Sequence, residues 1–444
     1  MGVDAVRAAA VRVLLRTLED KAPLDSALDR ALRRNPLTER GRRFLTQLAY
    51  TTTRHKLLCD YILGQILDSS LDTLPAAIRA ILRMGVAQRL FLNQVTTPAA
   101  VHTSVELARQ FGHAGLARLV NAVLRRVPDT LDEITFPSRE KEFSAYISVR
   151  YSLPLWLIEY MLRHFTQEEV EQFARSKAQE APITLRVNTL LIEVEPLMRR
   201  LTEHGFPCVK STAIPEELTL TAHKSPLASK YFTQGYFQIQ DAASILVPHA
   251  LQPNAGDWVL DLCAAPGSKT THIAALTQKR AHIVAVDKDA RRLHLVCENV
   301  ERLRAENVYP VAAEGTAVPL RAGTFDCVLV DAPCSGLGTL RRHPDIKWRL
   351  QPEAISRLAE TQWALLRSAV SLCKNGGVIL YSVCTFTPEE TIHIVEKATR
   401  QLPVTPEDGP ELIQPWRKTK GQYRTPLDDD ILDVFFLMRL RKQS

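Results

Sequence analysis

Two cysteines close two different strand-like runs in the C-terminal half of this 444-residue chain. Cys334 lies in Asp331-Ala332-Pro333-Cys334-Ser335-Gly336, directly after the apolar run 327–330. Cys384 lies in Ser382-Val383-Cys384-Thr385-Phe386, directly after the run 377–381. A third run ends in Asp261-Leu262-Cys263-Ala264-Ala265-Pro266-Gly267-Ser268-Lys269-Thr270. Open α/β sheets bind ligands at the carboxyl ends of their strands, where such turns lie. A thiolate is a strong nucleophile, suited to covalent attack on an electron-poor carbon. A single free cysteine is more often a small buried hydrophobe. Two of them at strand ends beside a cofactor-type turn are a poor match for packing alone.

The turn itself has readable mechanics. Gly267 lets the backbone approach a ligand closely, and Pro266 stiffens the bend. Its spacing is neither the GxGxxG of dinucleotide folds nor the P-loop pattern, although Lys269-Thr270 echoes the end of the latter. Asp287 closes the next run, 26 residues after Asp261. A carboxylate there can accept hydrogen bonds from both hydroxyls of a ribose. It could instead cap the helix that starts near Asp289. With the turn upstream and the thiols downstream, the ligand reading is favoured.

These residues need a parallel sheet to hold them. From about residue 236 strand-like runs alternate with helical ones. The strands are expected at 258–262, 282–286, 308–311, 327–330 and 378–381, and the helices at 270–276, 290–303, 353–372 and 388–400. Nearly continuous apolar strands between helices indicate a buried, doubly wound α/β domain over 236–444. The apolar run 431–440 is expected as a late antiparallel strand, and 403–409 as a loose loop.

Residues 1–140 read as all-α, with Val6, Ala10, Val13, Leu14 and Leu18 at helical spacing behind an Asp4 cap. Residues 141–235 mix the two periods: helices at 155–164, 168–178 and 194–203, strands at 183–188 and 218–220. That order suggests a small α+β insert.

The net charge is +7 and the sequence pI about 9.0. Residues 1–130 carry 19 Lys+Arg against 11 Asp+Glu, so the surplus is theirs and the remainder nets −1. A basic helical front end suits a polyanion partner, or is simply a solvated surface. Arg33, Arg34, Arg40, Arg42 and Arg43 cluster about one helix–helix turn and are the best phosphate candidates; Arg341, Arg342 and His343 are expected on the loop after Cys334, where backbone phosphates could pass, although any of these could be surface charge alone. No run is long enough to span a membrane and no secretory signal opens the chain, so a cytoplasmic protein is expected. None of the eight cysteines forms a CxxC pair, which argues against a zinc site or any other metal. Cys59, Cys208, Cys297, Cys327 and Cys373 are expected as buried packing residues.

The turn with Ala-Ala-Pro-Gly-x-Lys-Thr, the Asp-Ala-Pro-Cys-Ser-Gly stretch and the late x-Cys-Thr element resemble the S-adenosylmethionine-dependent RNA cytosine-C5 methyltransferases. Arg341-Arg342-His343-Pro344-Asp345 resembles the bacterial rRNA branch. The all-α front end resembles NusB-like RNA-binding domains. Together the architecture is similar to the bacterial Sun/Fmu-type enzymes that methylate a cytosine of 16S rRNA. This resemblance implies a NusB-like domain, a small α+β insert and a Rossmann-like methyltransferase domain. It also implies S-adenosylmethionine as cofactor, RNA (naked or in an early small-subunit particle) as partner, and a monomer.

By the same resemblance Cys384 is the attacking thiol and Cys334 the thiol that assists release of product. Asp331 would meet the cytosine N3 and N4 edge, with Lys269 touching substrate or orienting Asp331. The cofactor would lie among Cys263, Ala264, Ala265, Pro266, Gly267, Ser268, Lys269, Asp287, Glu314 and Asp331. Ser268 stands where the family has a second glycine, Glu314 where it has an aspartate, and Val383-Cys384-Thr385 where Thr-Cys-Ser is common. Three rival readings remain: a methyltransferase acting on tRNA or another RNA, a non-catalytic ribosome-assembly factor on the same scaffold, and an exocyclic-amine methyltransferase. The last wants an Asn/Asp-Pro-Pro-aromatic stretch that Asp-Ala-Pro-Cys does not supply.

Overall fold

Apolar residues at helical spacing fold the first part of the chain into an all-α unit, seen here in a computed structural model that describes residues 4–222 and 225–444. Asp4 caps the first helix, Ala5–Leu14, accepting the N–H groups of Val6 and Arg7 at 3.0 Å each. Helices Glu39–Arg54, Lys56–Ile66, Ala76–Phe91, Thr97–Phe111 and Ala114–Arg125 close around a core that includes Val11, Leu14, Leu45, Leu48, Leu82, Val86 and Leu124. Three further helices, Phe143–Tyr151, Leu155–Met161 and Gln167–Ala178, belong to this unit.

The chain divides into two units: one runs to Glu180 and also holds Leu340–Leu350, the other is Ala181–Thr339 with Gln351–Ser444. Leu340–Leu350 is fastened into the helical unit by polar contacts. Trp348 Nε1 donates to the Thr53 carbonyl at 2.7 Å, and Lys347 Nζ donates to the Arg54 and Ser152 carbonyls at 2.8 Å each. Burial first, then the nearby Arg54, drives the Lys347 ammonium well below its ordinary pKa. The reading of Arg341 as a phosphate contact is corrected here. Arg341 is buried and its carbonyl accepts from Arg54 at 2.9 Å, in a segment that Lys347 and Trp348 anchor, while His343 stays exposed.

The second unit begins with a small α+β element that starts at Ala181, so the helices expected at 155–164 and 168–178 as part of an insert over 141–235 group instead with the helical unit. Strands β1 (Thr184–Val187), β2 (Cys208–Lys210), β3 (Glu217–Leu220) and β4 (Phe237–Ile239) form an antiparallel sheet in the order β2-β3-β1-β4. Helix Val194–Glu203 buries Leu197 and Leu201 among Leu185, Val187 and Phe237. The sequence reading lacked β2 and β4, each only three residues long.

The main sheet has five parallel strands: β5 (Trp258–Asp261), β6 (His282–Asp287), β7 (Val308–Ala312), β8 (Phe325–Asp331) and β9 (Cys373–Val383). Strands β10 (Val404–Pro406), β11 (Arg417–Thr419), β12 (Gln422–Arg424) and β13 (Phe436–Lys442) complete it. The order is β11-β12-β13-β9-β8-β5-β6-β7, with β10 on β13. The order reverses on either side of β5, so the carboxyl ends of β5, β6 and β8 gather around one switch point. Two readings need amendment. The final strand starts at Phe436 and pairs antiparallel with β9, while 431–435 is not strand, with Ile431 exposed and 432–435 buried. The expected loop 403–409 contains β10, whose backbone completes an edge against β13.

One buried cluster holds metal-ligand side chains. His249 Nε2 and His272 Nε2 lie 2.7 and 2.6 Å from the same oxygen, Glu216 Oε1. These are hydrogen-bond separations, shorter than the spacing of two ligands about 2 Å from one tetrahedral ion. Burial opposes the Glu216 charge, but the two histidines outweigh it and hold its carboxyl below the usual range. Of the five packing cysteines, Cys59, Cys327 and Cys373 are buried, Cys208 is half-buried, and Cys297 is exposed on the outer face of helix Ala290–Leu303, against expectation. Among the described residues no helix is long and apolar enough to cross a membrane.

Candidate active site

The turn after β5 is built for close approach. Gly267 has φ +98°, a left-handed conformation that side chains resist, and a Cβ there would meet Val296 Cα at 3.2 Å. Ser268 is the first residue of helix Ser268–Leu276, so a side chain is tolerated there. Asp261 lies buried beneath the turn and accepts from Thr270 Oγ1 at 2.7 Å. Burial pushes its carboxyl up to about 7, with Asp331 adding and Thr270 and Lys269 opposing.

Asp287 ends β6, as expected, and serves this turn: its Oδ2 accepts the Ala265 N–H at 3.2 Å and its Oδ1 the Asp289 N–H at 3.0 Å. The helix cap is Asp289 itself, which accepts from Arg291 N at 2.9 Å. The capping alternative for Asp287 therefore falls. A carboxylate has about four acceptor positions, so Asp287 retains capacity for a diol. Glu314 lies past the end of β7, half-exposed and 4.0 Å from Lys288.

The reactive groups meet at the ends of β8 and β9. Lys269 Nζ donates to Asp331 Oδ2 at 2.7 Å, and Ser382 Oγ donates to Asp331 Oδ1 at 3.0 Å. Lys269 Nζ also sits over the Phe435 ring, 5.4 Å from its centroid. Burial alone would neutralise Lys269. The Asp331 charge and hydrogen bond outweigh it, Cys384 and Asp261 add to them, and the pKa is raised. The lysine is thus a cation within electrostatic range of Cys384.

Cys334 Sγ and Cys384 Sγ are 3.3 Å apart, both half-buried, although 50 residues separate them in sequence. Register explains this: β8 and β9 pair in parallel, with Asp331 opposite Ser382, so their following turns converge. Gly338 helps seat them. Its N–H donates to the Cys384 carbonyl at 3.0 Å, and a Cβ there would lie 2.1 Å from the Val434 carbonyl oxygen. The hydrogen bond to Cys384, then burial, then the charges of Cys384 and Glu390 hold the Cys334 thiol well above its ordinary pKa.

Sequence reading missed two supporting groups. Arg186 of β1, fully buried, donates to Gln240 Oε1 at 2.7 Å, to Thr271 Oγ1 at 3.1 Å and to the Ser268 carbonyl, bracing the cofactor turn. Burial lowers its pKa to about 9. Glu390, six residues past Cys384, accepts from Ser335 N after β8, from Thr387 Oγ1 after β9 and from Gln362 Nε2 of helix Glu353–Leu372. An arginine alternating in a strand and a glutamate after a proline carry no sign of burial in sequence; only the fold supplies their partners.

The chain matches the family model described as 16S rRNA methyltransferase RsmB/F over residues 248–440. It also matches the NusB family over 4–129 and the RsmF/B-like ferredoxin-like domain over 153–225. It is 33% identical to a probable ribosomal RNA small subunit methyltransferase B of Synechocystis, over 94% of this chain and 95% of that one. It is 30% identical to the Bacillus subtilis protein of the same description, over 100% of both chains. Among solved structures, PH0851 superposes with a TM-score of 0.81 at 26% identity over 100% of both chains.

Proposed function

The chain belongs to the RsmB/F family of 16S rRNA methyltransferases, and from that premise we propose that it methylates C5 of a cytosine in 16S rRNA through a transient bond between Cys384 Sγ and C6. The observation that carries this reading is the pair of thiols 3.3 Å apart, with the Lys269–Asp331 ion pair beside them.

C5 of cytosine is a poor nucleophile. Adding a thiolate to C6 interrupts the ring's conjugation and makes C5 enamine-like. S-adenosylmethionine, when bound, supplies an electrophilic methyl group. Asp287 would hold its ribose hydroxyls, with the backbone of 263–267, Ser268 and Glu314 around it. The donor set fits such a nucleoside: a buried carboxylate with spare acceptor capacity beside a glycine-relieved turn. Asp331 is placed to accept from the amino edge of the base and to stabilise a protonated ring, and Lys269 holds Asp331 in place. Cys384 attacks. Cys334 serves the later step in which the ring is released.

C6 is hidden inside a helix, so the cytosine must be unpaired or flipped out. The NusB-like domain presents Arg33, Arg34, Arg40, Arg42 and Arg43, all exposed, as phosphate contacts that position the RNA without reading it.

The direct test is a 16S rRNA fragment carrying 5-fluorocytosine, which lacks the C5 proton needed for release. A stable protein–RNA adduct mapping to Cys384 is expected; methylation without any adduct would overturn the covalent reading. Asp287→Asn keeps the residue's shape but removes its charge. It is expected to weaken S-adenosylmethionine binding about tenfold or more, as measured by calorimetry, with the fold unchanged by circular dichroism. Unchanged affinity would remove Asp287 from the cofactor site.

A further inference from the structure

The Glu390 carboxylate is fully buried and accepts three hydrogen bonds. Oε1 takes the Ser335 N–H at 2.8 Å and Gln362 Nε2 at 2.9 Å, and Oε2 takes Thr387 Oγ1 at 2.7 Å. Gln362 also donates to the Pro333 carbonyl at 3.1 Å and accepts from the Tyr381 hydroxyl at 3.0 Å. The backbone on both sides of Cys334 is therefore pinned to one carboxylate, at Ser335 directly and at Pro333 through Gln362. Ser335 Oγ pairs with Thr385 Oγ1 at 2.8 Å, which ties the same turn to the residue after Cys384. Among the described residues no lysine, arginine or histidine forms an ion pair with Glu390. A buried carboxylate compensated only by neutral donors is costly to keep.

We propose that Glu390 is a positioning residue for product release: it fixes the turn 333–336 so that the Cys334 S–H donates to the Cys384 sulfur as that sulfur leaves C6 of the methylated ring. This rests on the covalent reading above. In release the C5–H bond breaks and its proton passes to a water molecule. The freed electron pair forms the C5–C6 double bond, the C6–S bond breaks, and its pair stays on the Cys384 sulfur. The leaving group is a thiolate, and a hydrogen bond to it lowers the barrier to its departure.

Cys334 can donate only while it keeps its proton. The groups facing it favour that state. Cys384 at the end of β9, Glu390 beyond it and Tyr381 within β9 bring negative or neutral groups, while the Gly336 N–H alone works the other way. The cation, Lys269, stands by Cys384, where it balances the thiolate that leaves. The two sulfurs therefore have unlike surroundings: the buried carboxylate acts on Cys334 and the lysine on Cys384.

The test is Glu390→Gln in the full-length enzyme, followed by single-turnover kinetics on a 16S rRNA fragment. A glutamine must turn an N–H toward donors that want an acceptor, and it removes the charge that holds the Cys334 proton. The first methyl transfer is expected near the wild-type rate. Release should slow roughly tenfold to a hundredfold, with methylated RNA retained on the protein in denaturing gels. The donor form is lost as pH rises through the Cys334 pKa, so the alkaline fall in release should move to lower pH in the variant. Thr387→Val, close in shape and lacking one donor to Glu390, should show a weaker retention and keeps the test available if Glu390→Gln misfolds. Release at the wild-type rate with an unmoved pH profile in both variants would overturn the proposal. So would loss of the first methyl transfer in step with release, which marks a scaffold residue. Failure of the covalent reading shows separately, as wild-type enzyme that gives no adduct with 5-fluorocytosine RNA.

Discussion

Cys384→Ser is expected to lower the rate of RNA methylation about a thousandfold or more while leaving S-adenosylmethionine affinity unchanged. A serine hydroxyl fits the site, so the loss reports chemistry rather than shape. The hydroxyl keeps its proton near neutral pH and needs an adjacent base to attack a ring carbon. The sulfur 3.3 Å away, Cys334, holds its own proton firmly and cannot serve as that base. Lys269 is a donor engaged with Asp331, and Asp331 is already hydrogen-bonded through both oxygens. Sulfur, more acidic and more nucleophilic than a hydroxyl, depends far less on such a base. The check is methyl incorporation into rRNA from labelled cofactor, with calorimetric cofactor binding as the control. Serine enzyme that modifies RNA at the normal rate would end the covalent account.

The catalytic half was legible because chemistry and burial coincide there. Strands β5, β6, β8 and β9 are parallel and largely buried, so each shows as an apolar run, and each run ends where a candidate site residue begins; β7, at the edge of the sheet, is mostly exposed. Asp261, Asp287, Asp331 and Cys384 stand at those ends for that reason. The edge was less legible. Strands β10, β11 and β12 are three residues each and are not apolar; Arg439 and Arg441 of the final strand instead pair with Glu407 just after β10. Conversely Leu432, Val434 and Phe435 are apolar and buried without being strand, because Val434 spends its backbone on Gly338 beneath the catalytic turn. Apolarity reported burial at both places and secondary structure at neither.

Charges misled in the same way. Arg341 looked like surface charge for phosphate, yet it lies inside the helical unit with Lys347 and Trp348. Arg186 and Glu390 drew no notice, yet one braces the cofactor turn and the other the thiol turn. A charged side chain is buried only where neighbours distant in sequence supply its partners, so its role is fixed by contacts that no local pattern records.

Cys334→Ala is expected to give an enzyme that methylates once and then stays bound to its RNA. The substitution removes one sulfur from a half-buried position and leaves the Glu390 network in place, so the fold should lose little stability. Attack by Cys384 does not need Cys334, because the cation beside Cys384 is Lys269. Release does need it, since the departing thiolate would leave without its donor 3.3 Å away. The covalent complex should therefore accumulate at a rate near that of wild-type methyl transfer and decay at least about tenfold more slowly. It should migrate as a protein–RNA band that survives denaturation and should disappear in a Cys334→Ala, Cys384→Ala double variant, which has no sulfur left to form it. Glu390→Gln should resemble it in kind but not in extent, because that variant keeps the thiol and loses only its aim and one of the charges that favour its proton. An alanine variant that lets its product go at the wild-type rate would show that the second sulfur is packing, and the unlike surroundings of the two thiols would then need another cause.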